Sequence, residues 1–112
     1  MKVITGSSPF GSQTRTRVLL ALRLLEDSYA RELARVLDTR LSAIQGALRG
    51  LDRDRLIAGR DAGRTRLYRF DPRYFAHRDL VRYVTRLAEA EPALRDRVAS
   101  LRRRPRRSGK PL

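Results

Sequence analysis

The feature that most restricts how this chain can fold is a pair of short apolar runs set only four residues apart. In the first, Leu33, Val36 and Leu37 fall on one face of a helix read as about Ala30–Leu37. In the second, Ile44, Leu48 and Leu51 recur at i, i+4 and i+7. Between them, Asp38-Thr39-Arg40-Leu41 is too short to let two helices part company. Ser42-Ala43-Ile44-Gln45 has the form of a capping box, with the Ser42 hydroxyl accepting from a backbone amide and Gln45 reaching back to the Ser42 amide. Two short helices around a tight turn, the second running over about 42–54, make a helix-turn-helix.

The residues after this pair extend the pattern. Leu56–Asp61 and Thr65–Phe70 are good strand residues flanking Ala62-Gly63-Arg64, where the glycine permits a positive φ at a hairpin tip. A hairpin directly after a helix-turn-helix is a wing, and Asp71-Pro72 closes it. Upstream, Ser12 is the expected N-cap of a first helix reaching about Glu26, with Val18, Ala21, Leu22 and Leu25 on one face. Leu20 and Leu24 lie off that face, and a helix apolar on two sides is buried on two sides, against a second subunit or within one chain. Downstream, a fourth helix is expected over Arg73–Glu91, carrying Leu80, Val84, Leu87 and Ala88. Pro92 suits the first position of a fifth, with Leu94, Val98 and Leu101. The expected architecture is mainly α with a small β-hairpin wing: a winged helix-turn-helix over 12–91 plus a C-terminal helix over 92–104. A flexible lead-in (1–11) and a disordered basic tail (105–112) flank it.

Charge bears on function more than any single motif. The chain carries 26 Lys and Arg, of which 24 are Arg, against 12 acids, a formal net charge of +14. Six of the cations lie from Arg102 onward with no acid among them, yet residues 3–101 still hold a surplus of +7. Self-repulsion of this size points to a polyanionic partner. The absence of cysteine excludes disulfides and thiolate chemistry. No apolar run nears the ~20 residues a membrane span needs, so a soluble, cytoplasmic protein without membrane association is expected. The single histidine, His77, has only Asp79 and Arg73 for company, and Asp52 and Asp54 point to different sides of a helix. No catalytic residue, metal site or cofactor is expected.

The series Arg31-Glu32-Leu33-Ala34, Ser42-Ala43-Ile44-Gln45, Leu48-Arg49-Gly50-Leu51, Leu56-Ile57 and Gly63-Arg64…Tyr68 resembles the ArsR/MarR-type winged-helix regulators. The opening Phe10-Gly11-Ser12…Arg15 is also similar to winged helices associated with nucleotidyltransferases. The resemblance covers residues 10 to about 90 and departs from the pattern at Arg55 and Asp38, where glycine is common, and in lacking the cysteines that metal-sensing ArsR proteins use. It implies a transcriptional regulator that binds double-stranded DNA, its third helix in the major groove and its wing on the backbone or minor groove.

Carried onto this sequence, the DNA-facing residues would be Thr39, Arg40, Ser42, Ala43, Gln45, Gly46, Arg49 and Arg53 from the helix-turn-helix, with Arg60, Arg64, Thr65 and Arg66 from the wing. Arg49 can read guanine and Gln45 adenine, unless the cap occupies Gln45. Gly46 and Gly50, four apart, are expected on the exposed side. A homodimer through Leu20, Leu24, Leu80, Val84, Leu87, Leu94, Val98 and Leu101 would set two recognition helices about one DNA turn apart. A winged-helix module that binds a partner protein or RNA is the alternative, and the sequence names no small-molecule effector.

Overall fold

The computed structural model describes residues 9–103. Its elements follow in the order α1 Gln13–Leu25, α2 Ala30–Leu37, α3 Leu41–Arg53, β1 Ile57–Ala62, β2 Thr65–Phe70, α4 His77–Glu89 and α5 Pro92–Arg103. This is a winged helix fold, mostly helical, with one antiparallel hairpin. The basic tail expected over 105–112 and most of the lead-in lie outside the described residues.

Helix α1 is the axle. Its start is the one the sequence implies: Ser12 accepts a hydrogen bond from the Arg15 amide at 3.1 Å. Val18, Leu19, Leu20, Ala21 and Leu22 are all buried, and five consecutive helical residues point all the way round the axis. Such a helix must be wrapped, and α3 and α4 do most of the wrapping, with α2 and α5 completing it.

That wrapping corrects the expected subunit contact. Leu20, Leu80, Val84, Leu94 and Val98 are each under a tenth exposed within this one chain, so they form its core and not a free surface. Leu24, Leu87 and Leu101 stay only partly covered. The second apolar stripe of α1 is covered within the chain because helices pack on α1 from several sides. Each fully buried leucine contributes about 1.5–3 kcal/mol of transfer free energy.

The turn between α2 and α3 is built by the backbone. Asp38 adopts the left-handed conformation (φ 52°, ψ 52°). Thr39 N–H donates to Ala34 O at 3.0 Å and Asp38 N–H to Arg35 O at 3.3 Å, the paired bonds of a Schellman ending. Helix α3 then begins with its N-cap two residues before the expected Ser42. Its N-cap is Arg40, and Ile44 N–H reaches Arg40 O at 3.1 Å. Ser42 thus lies inside the first turn and no side chain caps the helix, because the turn has already delivered the chain at Arg40. Gln45 is left exposed and free of any capping duty.

The far end of α3 repeats the device. Arg55 takes φ 65°, a left-handed value that favours glycine, while Leu56 N–H donates to Leu51 O at 3.0 Å and Arg55 N–H to Asp52 O at 2.9 Å. Gly50 is buried and not on the exposed side as expected; a Cβ there would sit 3.2 Å from the Arg15 guanidinium.

The wing pairs Ile57 with Phe70 through Ala62 with Thr65, leaving a two-residue loop in which Gly63 takes φ 68°. Ser28, between α1 and α2, exchanges two backbone bonds with Tyr68, Ser28 N–H to Tyr68 O at 3.1 Å and Tyr68 N–H to Ser28 O at 2.7 Å. The wing is thereby tied to the corner where α2 begins. After the wing, α4 starts at His77 and not at Arg73. Asp71 accepts from the Arg73 amide at 2.9 Å, and Tyr74 N–H and His77 N–H close two successive turns, so residues 72–76 are spent on a corner.

Candidate nucleic-acid interface

Three elements converge on one cleft. The Ser28–Tyr68 pairing holds β2 beside the N-terminus of α2, and the short turn sets α3 across both. The space enclosed is about 470 Å³, lined by Tyr29, Ala30 and Arg31 of the α2 start, Leu41, Gln45, Leu48 and Arg49 of α3, and Arg64, Thr65, Arg66 and Tyr68 of the wing. Four of the lining residues are arginines and none is acidic.

The residues singled out from the sequence sort clearly against this geometry. Gln45, Arg49, Arg64, Thr65 and Arg66 are brought together in the cleft. Arg40 and Ser42 are exposed beside it at the start of α3, while Ala43 and Gly46 are half-buried. A Cβ on Gly46 would meet nothing but the Arg49 guanidinium, at 3.8 Å. Thr39 turns inward on its own corner, its hydroxyl donating to Leu37 O at 3.0 Å.

Arg53 and Arg60 stand apart. Arg53 lies at the opposite end of α3, 3.9 Å from Asp54. Arg60 pairs with Leu67 in the register, which by the alternation of strands puts it on the other sheet face from Gly59, Asp61, Arg66 and Tyr68. Sequence reading missed Arg31, Tyr29 and Tyr68, because the Ser28 bridge that gathers them joins residues 40 apart.

The cleft cations are not equivalent. Arg66 is engaged: its guanidinium donates to Asp61 at 3.0 Å and lies 5.8 Å from the centre of the Tyr68 ring. The Asp61 carboxylate raises its pKa above the ordinary guanidinium value. Gly59 leaves room for this arrangement, since a Cβ there would come within 2.7 Å of Arg66 Nε and 2.9 Å of Tyr68 and would have to displace them. Arg31, Arg49 and Arg64 have no ion pair or side-chain hydrogen bond among the described residues.

Several arginines elsewhere have structural partners. Arg17 donates to Leu37 O at 2.6 Å, Arg102 to Leu25 O at 2.7 Å and Arg97 to Arg35 O at 3.0 Å, each at or near the C-terminal end of a helix. Arg23 donates to the Thr85 hydroxyl at 2.7 Å and Arg15 to Asp54 at 2.6 Å. The Arg15 hydrogen bond holds the Asp54 carboxyl below its usual pKa, and the Arg73 amide does the same for Asp71.

No group of three or more His, Cys, Asp or Glu that could hold a metal occurs among the described residues. No described helix is long and apolar enough to cross a membrane.

No family model and no curated sequence matches this chain. Solved structures do. A doubly substituted ZitR of Lactococcus lactis in its apo form aligns with a TM-score of 0.52 at 18% identity, covering 72% of this chain and 64% of that one. A singly substituted ZitR gives 0.52 at 16% identity, covering 92% of this chain and 66% of that one. A second structure of the doubly substituted form gives 0.50 at 17% identity over 91% and 66%. The chain thus spans slightly less than two thirds of the ZitR chains it matches, and the likeness is one of fold: a winged helix.

Proposed function

We propose that this protein is a sequence-specific double-stranded-DNA-binding transcriptional regulator of ArsR/MarR type, acting as a homodimer. The observation that carries the reading is the acid-free cleft between α3 and the wing, with Gln45 and Arg49 on α3 and Arg64 at the wing tip, none of them with a side-chain partner among the described residues. The winged-helix fold that the chain shares with ZitR supports it.

In this reading α3 enters the major groove. Gln45 and Arg49, four residues apart on one face, meet neighbouring base edges, Arg49 offering a fork to guanine and Gln45 a donor–acceptor pair to adenine. Arg40, Ser42, Ala43 and Gly46 border the groove, and Arg53 reaches the backbone beyond its far end. The wing sets Arg64 and Thr65 on the sugar–phosphate rail, while Arg60, on the outer sheet face, reaches a flanking phosphate. Arg31 becomes a backbone contact from α2. No enzymatic role is assigned.

The dimer would use what the fold leaves uncovered: Leu24, Leu87 and Leu101, together with Phe75 at 93% and Tyr83 at 46% exposure. Selection of bound sequences from a random duplex library, combined with the solution mass, tests the proposal. A palindromic consensus and a doubled mass are expected. Enrichment of no sequence would overturn the regulator reading, and a monomeric mass would overturn the dimer.

A further inference from the structure

The cleft has two characters, and a DNA backbone matches only one of them. Its exposed lining carries the cations Arg31, Arg49 and Arg64, none with an ion pair or side-chain hydrogen bond among the described residues. Its deeper lining is apolar and aromatic: Leu48 is 1% exposed, and Ala30, Leu41, Tyr29 and Tyr68 are half-buried. A sugar–phosphate strand brings charge, which gains nothing from a floor of this kind. The enclosed volume of about 470 Å³ falls within the ~300–1,000 Å³ of small-molecule sites.

We infer that the cleft is also a site for a free nucleotide, a planar ring joined to a phosphate, and that this ligand and duplex DNA exclude one another. The exclusion rests on the DNA-binding reading of the cleft and adds regulation to it; the ligand site stands on the cleft itself.

The lining selects both halves of this ligand. No acid lines the space. Among the acids close in sequence, Glu32 is bonded to Ser28, Asp61 to Arg66 and Asp71 to Arg73, while Glu26, Asp27, Asp38 and Asp52 lie outside the lining. Guanidinium groups brought from α2, α3 and the wing suit a phosphate, whose three terminal oxygens can each receive one; a carboxylate has only two. For the ring, Tyr68 already has the Arg66 guanidinium 5.8 Å from its centre, whereas Tyr29 makes no ring contact among the described residues. Tyr29 is therefore the stacking partner, and Arg31, two residues on, is the nearest cation in sequence.

The test titrates the full chain with adenosine monophosphate by calorimetry, without DNA. Saturation at one equivalent per chain is expected, about tenfold tighter than inorganic phosphate or adenosine alone. Tyr29→Ala should weaken adenosine monophosphate about tenfold and leave inorganic phosphate as it was, whereas Arg31→Gln should weaken both. Tyr29→Phe should bind as wild type does, which guards against a folding defect in the alanine variant. Adenosine monophosphate should also displace a labelled consensus duplex over the concentration range in which it saturates the free protein.

Binding no tighter than that of inorganic phosphate would overturn the site, because it would reflect charge alone. So would equal losses for the two ligands in Tyr29→Ala. Saturation by adenosine monophosphate with the consensus duplex still bound would overturn the exclusion. Failure to prefer any duplex, with adenosine monophosphate still bound as expected, would bring down the DNA-binding reading and the exclusion while supporting the ligand site.

Discussion

Two sets of arginines in this molecule differ in what engages them. In the scaffold, Arg15, Arg17, Arg97 and Arg102 are committed, each donating to a carbonyl or carboxylate of another element at 2.6–3.0 Å. In the cleft, Arg31, Arg49 and Arg64 stand on three different elements and have no such partner among the described residues. A guanidinium at a helix C-terminus satisfies carbonyls the helix cannot and favours the dipole. One in an acid-free cleft keeps all its donors for something outside the chain. Net charge alone does not separate these roles; geometry does.

Four substitutions probe the contrast, ordered by expected size. Arg49→Ala should weaken binding to a selected duplex by about 1–3 kcal/mol, with a smaller loss on random DNA and an unchanged melting temperature. Equal losses on both, measured by fluorescence anisotropy, would make Arg49 a phosphate contact. Arg17→Ala should do the reverse, costing about 1.5–2 kcal/mol of stability by stripping Leu37 O of a charged donor, read by denaturant unfolding. Arg64→Ala should lower affinity for every duplex alike and reduce the log–log salt slope by about 1. Arg55→Gly should raise stability by about 0.5–1 kcal/mol, since it removes a side chain from a left-handed position without touching the cleft.

Acid offers a further probe of the scaffold. Asp54 and Asp71 have lowered pKa values because Arg15 and the Arg73 amide favour their charged forms. Their contribution is complete above the ordinary carboxylate value of 3.8 and fades as pH falls below it through the lowered folded values. Stability followed by circular dichroism should therefore drop below about pH 4, less steeply in Asp54→Asn. An identical pH profile in that variant would mean the Arg15–Asp54 pair adds nothing.

Local patterns made much of the fold legible. Helical spacing placed α2 to the residue, Ser12 capped α1, and Gly63 marked the wing tip, because each depends on residues near in sequence. The misreadings share one cause. The expected Ser42 cap was displaced by a backbone-built turn, and α4 lost its first turn to a corner fixed by Asp71, both effects of hydrogen bonds that patterning does not display. Leu20 looked like a surface stripe because the burial of α1 on all sides depends on helices distant in the chain, α4 and α5 among them.

The candidate site was half legible for the same reason. Gln45, Arg49 and the wing-tip residues follow from the motif, whereas the roles of Arg31 and Tyr68 depend on a bridge to Ser28, and Arg60 fell to the outer sheet face by strand parity.

The central claim is that α3 and the wing together form the DNA-reading surface, and amide chemical-shift mapping with one equivalent of a selected duplex tests it most directly. Shifts concentrated in residues 39–49 and 60–66, with α5 unmoved, are the predicted result. Shifts gathered on α5, or spread evenly over every exposed arginine, would contradict it.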